Sequence, residues 1–106
     1  MKITKFRLPS PTLGDVTLSA DDAIKTVTLD SISATQGAVV KDGMIYEVFG
    51  FDKKGAFYII DFERGEIVGA AYLPKFKFKR EPESLAIYDG DLICVDVSGG
   101  VYKLSF

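Results

Sequence analysis

Residues 37–68 read GAVVKDGMIYEVFGFDKKGAFYIIDFERGEIV, and the placing of Gly and Asp within them decides the fold class. Ala38-Val39-Val40 runs into Lys41-Asp42-Gly43, and Met44-Ile45-Tyr46-Glu47-Val48-Phe49 runs out. An Asp-Gly pair between two such runs is the strongest short-range hairpin signal, because both central residues of a type I′ turn need positive φ. Gly50-Phe51-Asp52-Lys53-Lys54-Gly55 follows as a polar loop with glycine at each end, leading into a strand over residues 56–62. Glu63-Arg64-Gly65-Glu66 then turns the chain into residues 67–73, with Gly65 suited to a left-handed position after a type I turn. The expectation is an up-and-down meander of four antiparallel strands.

The same text begins again further on. Residues 85–95, LAIYDGDLICV, align without gaps on residues 38–48, AVVKDGMIYEV, at an offset of 47. Residues 100–106 align on the strand that begins at Gly55, at offsets near 45. Self-similarity at this spacing, with four strands per unit, is the mark of a propeller blade, although any β-meander also reuses Asp-Gly hairpins. The chain is therefore read as all-β, a single β domain over 1–106. It comprises N-terminal strands (1–30), a first repeat (31–74) and a second, incomplete repeat (81–106). About two blades do not close a ring, which needs at least four. The ring is then completed by a longer propeller or by further copies, or else the strands form an open sheet or sandwich.

Before the repeats, residues 3–8 read as a strand stopped by Ser10 between Pro9 and Pro11, a candidate to complete the second repeat. A short strand is expected around residues 15–19, and another over residues 23–29, where Ile24, Thr26 and Thr28 alternate with Lys25, Val27 and Leu29. Ser19-Ala20-Asp21-Asp22 also has the make-up of a cap on a short helix.

Composition bounds the function classes. In 106 residues, 47% are apolar and 26% charged, with a net charge of −2, so no global field draws the chain to nucleic acid or anionic lipid. No nucleic-acid partner and no membrane insertion are expected: residues 1–15 lack an apolar signal core, and no run approaches the length of a spanning helix. A single cysteine, Cys94, excludes an internal disulfide and a four-cysteine zinc site. With no histidine, the usual metal ligand and the usual general base are absent. Cys94, amid Leu92, Ile93 and Val95, reads as a small core group.

Gln36-Gly37, the KDGMIYEVFG hairpin, the YIIDFERGEIV hairpin and the ending EPESLAIYDGDLICVDVSGGVYKLSF together resemble blades of bacterial and phage β-propellers. The group resembled is that of phage receptor-binding and teichoic-acid-related surface proteins, over residues 35–106. The resemblance implies recognition of a surface glycan or a protein, or service as a virion or cell-surface scaffold. Its motifs are structural, so what it implies concerns fold before activity.

Three constellations are candidate sites. Glu81-Pro82-Glu83 precedes the innermost strand of the second unit, and Gln36 holds the place equivalent to Glu83. Paired carboxylates there suit Ca²⁺ or a sugar hydroxyl, and a metal-assisted hydrolase or lyase using Glu81 and Glu83 is the enzymatic alternative. The competing reading is a solvated acidic turn; no other cofactor is implied. Lys75, Lys77, Lys79 and Arg80, interleaved with Phe76 and Phe78, read first as a half-buried strand with lysines in water, with a patch for an anionic ligand as the alternative against the overall acidic charge. Tyr46, Tyr58, Tyr72, Tyr88 and Tyr102 recur near matched positions of the repeats, suited to packing between units or, for Tyr46 and Tyr88 above all, to stacking on sugars. The function expected is a non-catalytic recognition or scaffold module for a protein or glycan partner, with self-association through sheet edges as a further route.

Overall fold

The computed structural model describes residues 1–30, 35–51, 54–72 and 80–105. Among them are nine strands and one 3₁₀ turn, arranged as antiparallel sheets of two, four and three strands with none closed on itself. The chain divides into two compact units, Met1–Ser31 and Ile32–Phe106.

In the first unit, β1 (Lys2–Phe6) pairs antiparallel with β2 (Ala23–Thr28), Ile3 opposite Val27 and Thr4 opposite Thr26. The Met1 ammonium donates to the Leu29 carbonyl at 2.8 Å, and the Leu29 N–H returns a bond to Met1 O at 2.9 Å. The N-terminal strand thus has β2 as its sheet neighbour and does not complete the second repeat. The strand expected at residues 15–19 does not form. Ser19 instead caps the turn Ala20–Asp22, its backbone N–H donating to Asp22 Oδ2 at 2.8 Å, while residues 15–18 are exposed and outside any ladder.

The second unit holds the repeats. β3 (Thr35–Lys41), β4 (Met44–Phe51), β5 (Lys54–Asp61) and β6 (Glu66–Tyr72) form the four-stranded meander in sequence order. Both residues of the Asp42-Gly43 turn have positive φ, 51° and 77°, as a type I′ turn demands. Gly65 has φ 71° and donates to Asp61 O at 2.8 Å, closing the β5–β6 connection. The β4–β5 ladder runs on to Phe51 opposite Lys54, so pairing consumes most of the loop expected between Gly50 and Gly55.

β7 (Pro82–Tyr88), β8 (Asp91–Asp96) and β9 (Val101–Leu104) repeat the first three strands. Asp89-Gly90 forms the same turn, with φ 49° and 79°. The correspondence extends to an irregularity. The β3–β4 register shifts at Gln36 and the β7–β8 register at Glu83, 47 residues on, so each repeat opens on a β-bulge at the same place. Ladder register also refines the alignment of the third strands. Tyr58 opposes Glu47 and Tyr102 opposes Cys94, which makes Phe57 equivalent to Val101 and Ile59 to Lys103.

The two sheets of this unit pack face to face. Val48 and Phe57, with Val39 and Tyr46 beside them, meet Leu85, Leu92, Cys94 and Leu104, with Tyr102 alongside. Large apolar side chains buried in this way stabilise by about 1.5–3 kcal/mol each. The other face of the four-stranded sheet carries Glu47, Phe49, Ala56 and Ile60, all buried, with the Phe49 and Tyr58 rings edge to face at 5.0 Å.

Candidate functional site

The sheets are joined along β3 and β7, which run side by side in the same direction. Gln36 Nε2 donates to Glu81 Oε1 at one end, and Lys41 Nζ donates to Gly90 O at 2.7 Å at the other. Between them Gly37 lies against Ser84 so closely that a Cβ at Gly37 would stand 2.8 Å from Ser84 Cα. Gly37 and Ser84 are equivalent residues of the two repeats, so the repeats touch backbone to backbone where their first strands begin.

This geometry distributes the candidate residues over three places. Gln36, Glu81 and Glu83 gather where β3 and β7 begin. There the Glu81 carboxylate is engaged by Gln36, and Glu83 sits exposed on the bulge. Tyr88 lies at the far end of β7, about 17 Å away at the usual rise per strand residue, and is 76% exposed. Tyr46 is half-buried against the core between the sheets. Lys75, Lys77 and Lys79 lie outside the described residues, and Arg80 is exposed. Among the described residues no three acidic or cysteine side chains converge as a metal site requires, and no helix is long and apolar enough to cross a membrane.

Among the described residues a densely bonded polar group lies outside the three candidate constellations. Asp96, 3% exposed, ends β8. Its Oδ1 accepts from Ser98 N at 2.9 Å, Ser98 Oγ at 2.7 Å and Gly100 N at 2.8 Å, and its Oδ2 accepts from Tyr102 Oη at 2.7 Å. The order Asp-x-Ser-x-Gly is the signal that reveals it, since an Asp oxygen bonding backbone two and four residues on builds a turn. The Tyr102 and Ser98 hydroxyls, helped by the backbone N–H groups of Gly100 and Ser98, lower the Asp96 carboxyl from 3.8 to about 2 against the opposing effect of burial.

A lowered pKa in the folded state stabilises fully above the unfolded value, and that stability is lost as pH falls through the folded one. For Asp96 the window is pH 4 down to about 2. Tyr102→Phe removes the largest cause. It is expected to lower stability at pH 7, to flatten the fall between pH 4 and 2, and to converge with the parent at the acid end. Urea melts at stepped pH check this.

Glu47 is the opposite case. It is 5% exposed on β4, and its Oε2 finds no hydrogen-bond donor among the described residues. Burial raises its pKa above 4.5, so the folded state holds the proton more tightly and stability declines as pH rises from about that value. The equivalent residue in the second repeat is Cys94, fully buried, which marks the position as apolar. Glu47→Met is therefore expected to raise stability at pH 7 by on the order of 1 kcal/mol, by removing an unsatisfied buried group, and to abolish the decline above pH 4.5. Thermal melts at pH 4.5 and 7.5 read both effects.

Burial, with the Asp96 carboxylate adding to it, pushes the Cys94 thiol up to about 12. At neutral pH it is a protonated core group and not a nucleophile.

Chemically, then, the polar side chains brought together in the described residues hold turns and tie sheets, while aromatic and aliphatic side chains stand in solvent. These include Tyr72 at 74%, Tyr88 at 76% and Val101 at 68% exposure. No protein-family model, curated protein or solved structure matches this chain.

Proposed function

We propose that this chain is a non-catalytic scaffold or recognition module of two stacked, propeller-blade-like repeats, and that it works by surface contact with a protein or a surface glycan. The observation that carries the reading is the contrast between equivalent faces. The first repeat's face around Val48 and Phe57 is covered by the second repeat, whereas the second repeat's own face leaves Val101 and Tyr88 exposed and Ile93 and Val95 half-buried. The carboxylates that an enzymatic reading would use are arranged otherwise, Glu81 held by Gln36 and Glu83 out on the bulge. A blade is a unit that buries its faces on neighbours, and an uncovered one is a surface for contact.

The test is binding of the purified chain to a panel of cell-surface polysaccharides by calorimetry, alongside sedimentation for self-binding. Saturable binding in either, weakened by substitution of Tyr88 or of the open face, supports the reading. A chain that binds neither a polysaccharide nor itself at any concentration refutes it.

A further inference from the structure

We propose that the outer face of β7–β9 docks a second copy of this chain, each copy presenting that same face across a two-fold axis. The inference rests on the contact-module reading above and names its partner and its surface.

The internal repeat shows what kind of surface covers this face. In the four-stranded sheet, Gly37, Val39, Tyr46, Val48 and Phe57 share the face on which β7–β9 lies. Their equivalents on β7–β9 are Ser84, Ala86, Ile93, Val95 and Val101, which share one face through the registers Ala86–Ile93 and Ser84–Val95–Val101. Four of the five are apolar. Ile93 and Val95 on the central strand are half-exposed, and Ala86 and Val101 are exposed. At these apolar positions, then, this face matches one that folds against another antiparallel sheet, with Asp91 and Lys103 standing where that one has Met44 and Ile59.

Two observations select the mate. Stacking head to tail, as the repeats do, would require a second copy to offer the first-repeat counterpart of the Leu85, Leu92, Cys94 and Leu104 face. That counterpart is the face of Ala38, Ile45, Glu47 and Ile60, which is exposed at Ala38 on β3 but already buried at Glu47 and Ile60 on the central strands, with Phe49 and Ala56 beside them. Head-to-tail stacking also relies on glycine at the strand contact, where Gly37 admits the Ser84 backbone. The outer face has Ser84 in that place, and its side chain holds an incoming strand away. The outer face of another copy is open and apolar. It is also electrically self-complementary, because Lys103 and Asp91 lie on it together, 2.7 Å apart, at one end of the apolar area. Two such faces meet without net repulsion, and an isologous contact closes at two copies.

The experiment is sedimentation velocity and light scattering on the intact chain across a wide concentration range, comparing the parent with Val101→Lys and with Tyr72→Lys. Val101 is 68% exposed and Tyr72, on β6, is 74% exposed, so both variants should fold, which far- and near-ultraviolet circular dichroism verifies. The expected result is a concentration-dependent dimer for the parent and for Tyr72→Lys, with dissociation at least tenfold easier in Val101→Lys, since each dimer carries the substitution twice. A parent that stays monomeric, a dimer indifferent to Val101→Lys, or masses that grow beyond two copies would each overturn the proposal. A monomer that binds a polysaccharide through Tyr88 leaves the contact-module reading standing and removes this one; a monomer that binds nothing removes both.

Discussion

Gly37→Ala is expected to destabilise the second unit by about 3 kcal/mol, near the top of the usual cost of overpacking. The added Cβ would stand 2.8 Å from Ser84 Cα, 3.1 Å from Leu85 N and 3.2 Å from Glu83 O. All three are backbone atoms, so no rotamer change relieves the clash, and the sheets must part along β3 and β7. Parting them loosens the core between Val48, Phe57, Leu85 and Cys94 and strains the Gln36–Glu81 bond at the same end. For a domain of this size the loss corresponds to a fall in Tm of roughly 12–24 °C.

Gly43→Ala is the informative contrast. Gly43 has φ 77° and open space around its missing Cβ, so the substitution costs backbone strain alone, about 1–2 kcal/mol. Ser84→Gly introduced beside Gly37→Ala should recover little, because the atoms in the way remain. Urea unfolding of the four chains decides the matter. If Gly37→Ala melts within the range of Gly43→Ala, the close approach of the repeats is not a structural requirement.

That contact illustrates what a sequence displays and what it withholds. The Asp-Gly turns were legible because type I′ geometry demands residues that tolerate positive φ, and Asp42-Gly43 and Asp89-Gly90 both adopt it. Gly65 was legible for the same reason. The four strands of the meander followed, since a turn of known type fixes the register of what flanks it. The strand expected at residues 15–19 had no such anchor. Ladder pairing needs a neighbour, and Ser19 satisfies its N–H locally on Asp22.

The candidate site fared differently from the fold. Equivalence of Gln36 and Glu83 was visible from the repeat, but it was Glu81, two residues earlier, that received the Gln36 amide, because a bulge at Glu83 displaces the chain there. Tyr46 and Tyr88 each flank the Asp-Gly turn of their repeat. Their faces separate them: Tyr46 is on the face that the second repeat covers, and Tyr88 is on the face that nothing in the described chain is seen to need for its core. Periodicity reports which residues share a face, and only packing decides which face is closed.

Phe57→Ala against Val101→Ala tests that distinction quantitatively. The two residues occupy the same rung of the third strand in successive repeats, opposite Val48 and Val95. Phe57 is 1% exposed at the centre of the core between the sheets, whereas Val101 is 68% exposed. Truncating Phe57 removes most of a ring from a packed interior and leaves a cavity, an expected loss of about 3–5 kcal/mol. Set against the 5–15 kcal/mol typical of a whole domain, that is enough to leave the unit marginally folded at 37 °C. Truncating Val101 should change the stability of the dilute, monomeric chain by no more than about 0.5 kcal/mol. Phe57→Leu, which keeps most of the volume, should lie between them at about 1–1.5 kcal/mol. The melts are made at a concentration where sedimentation finds monomer, so that association does not enter. A large loss at Phe57 with near silence at Val101 means that the two repeats differ in what covers them and not in how they are built. Equal losses would mean that the Val101 face is already engaged within the monomer, and the surface proposed for a second copy would not exist.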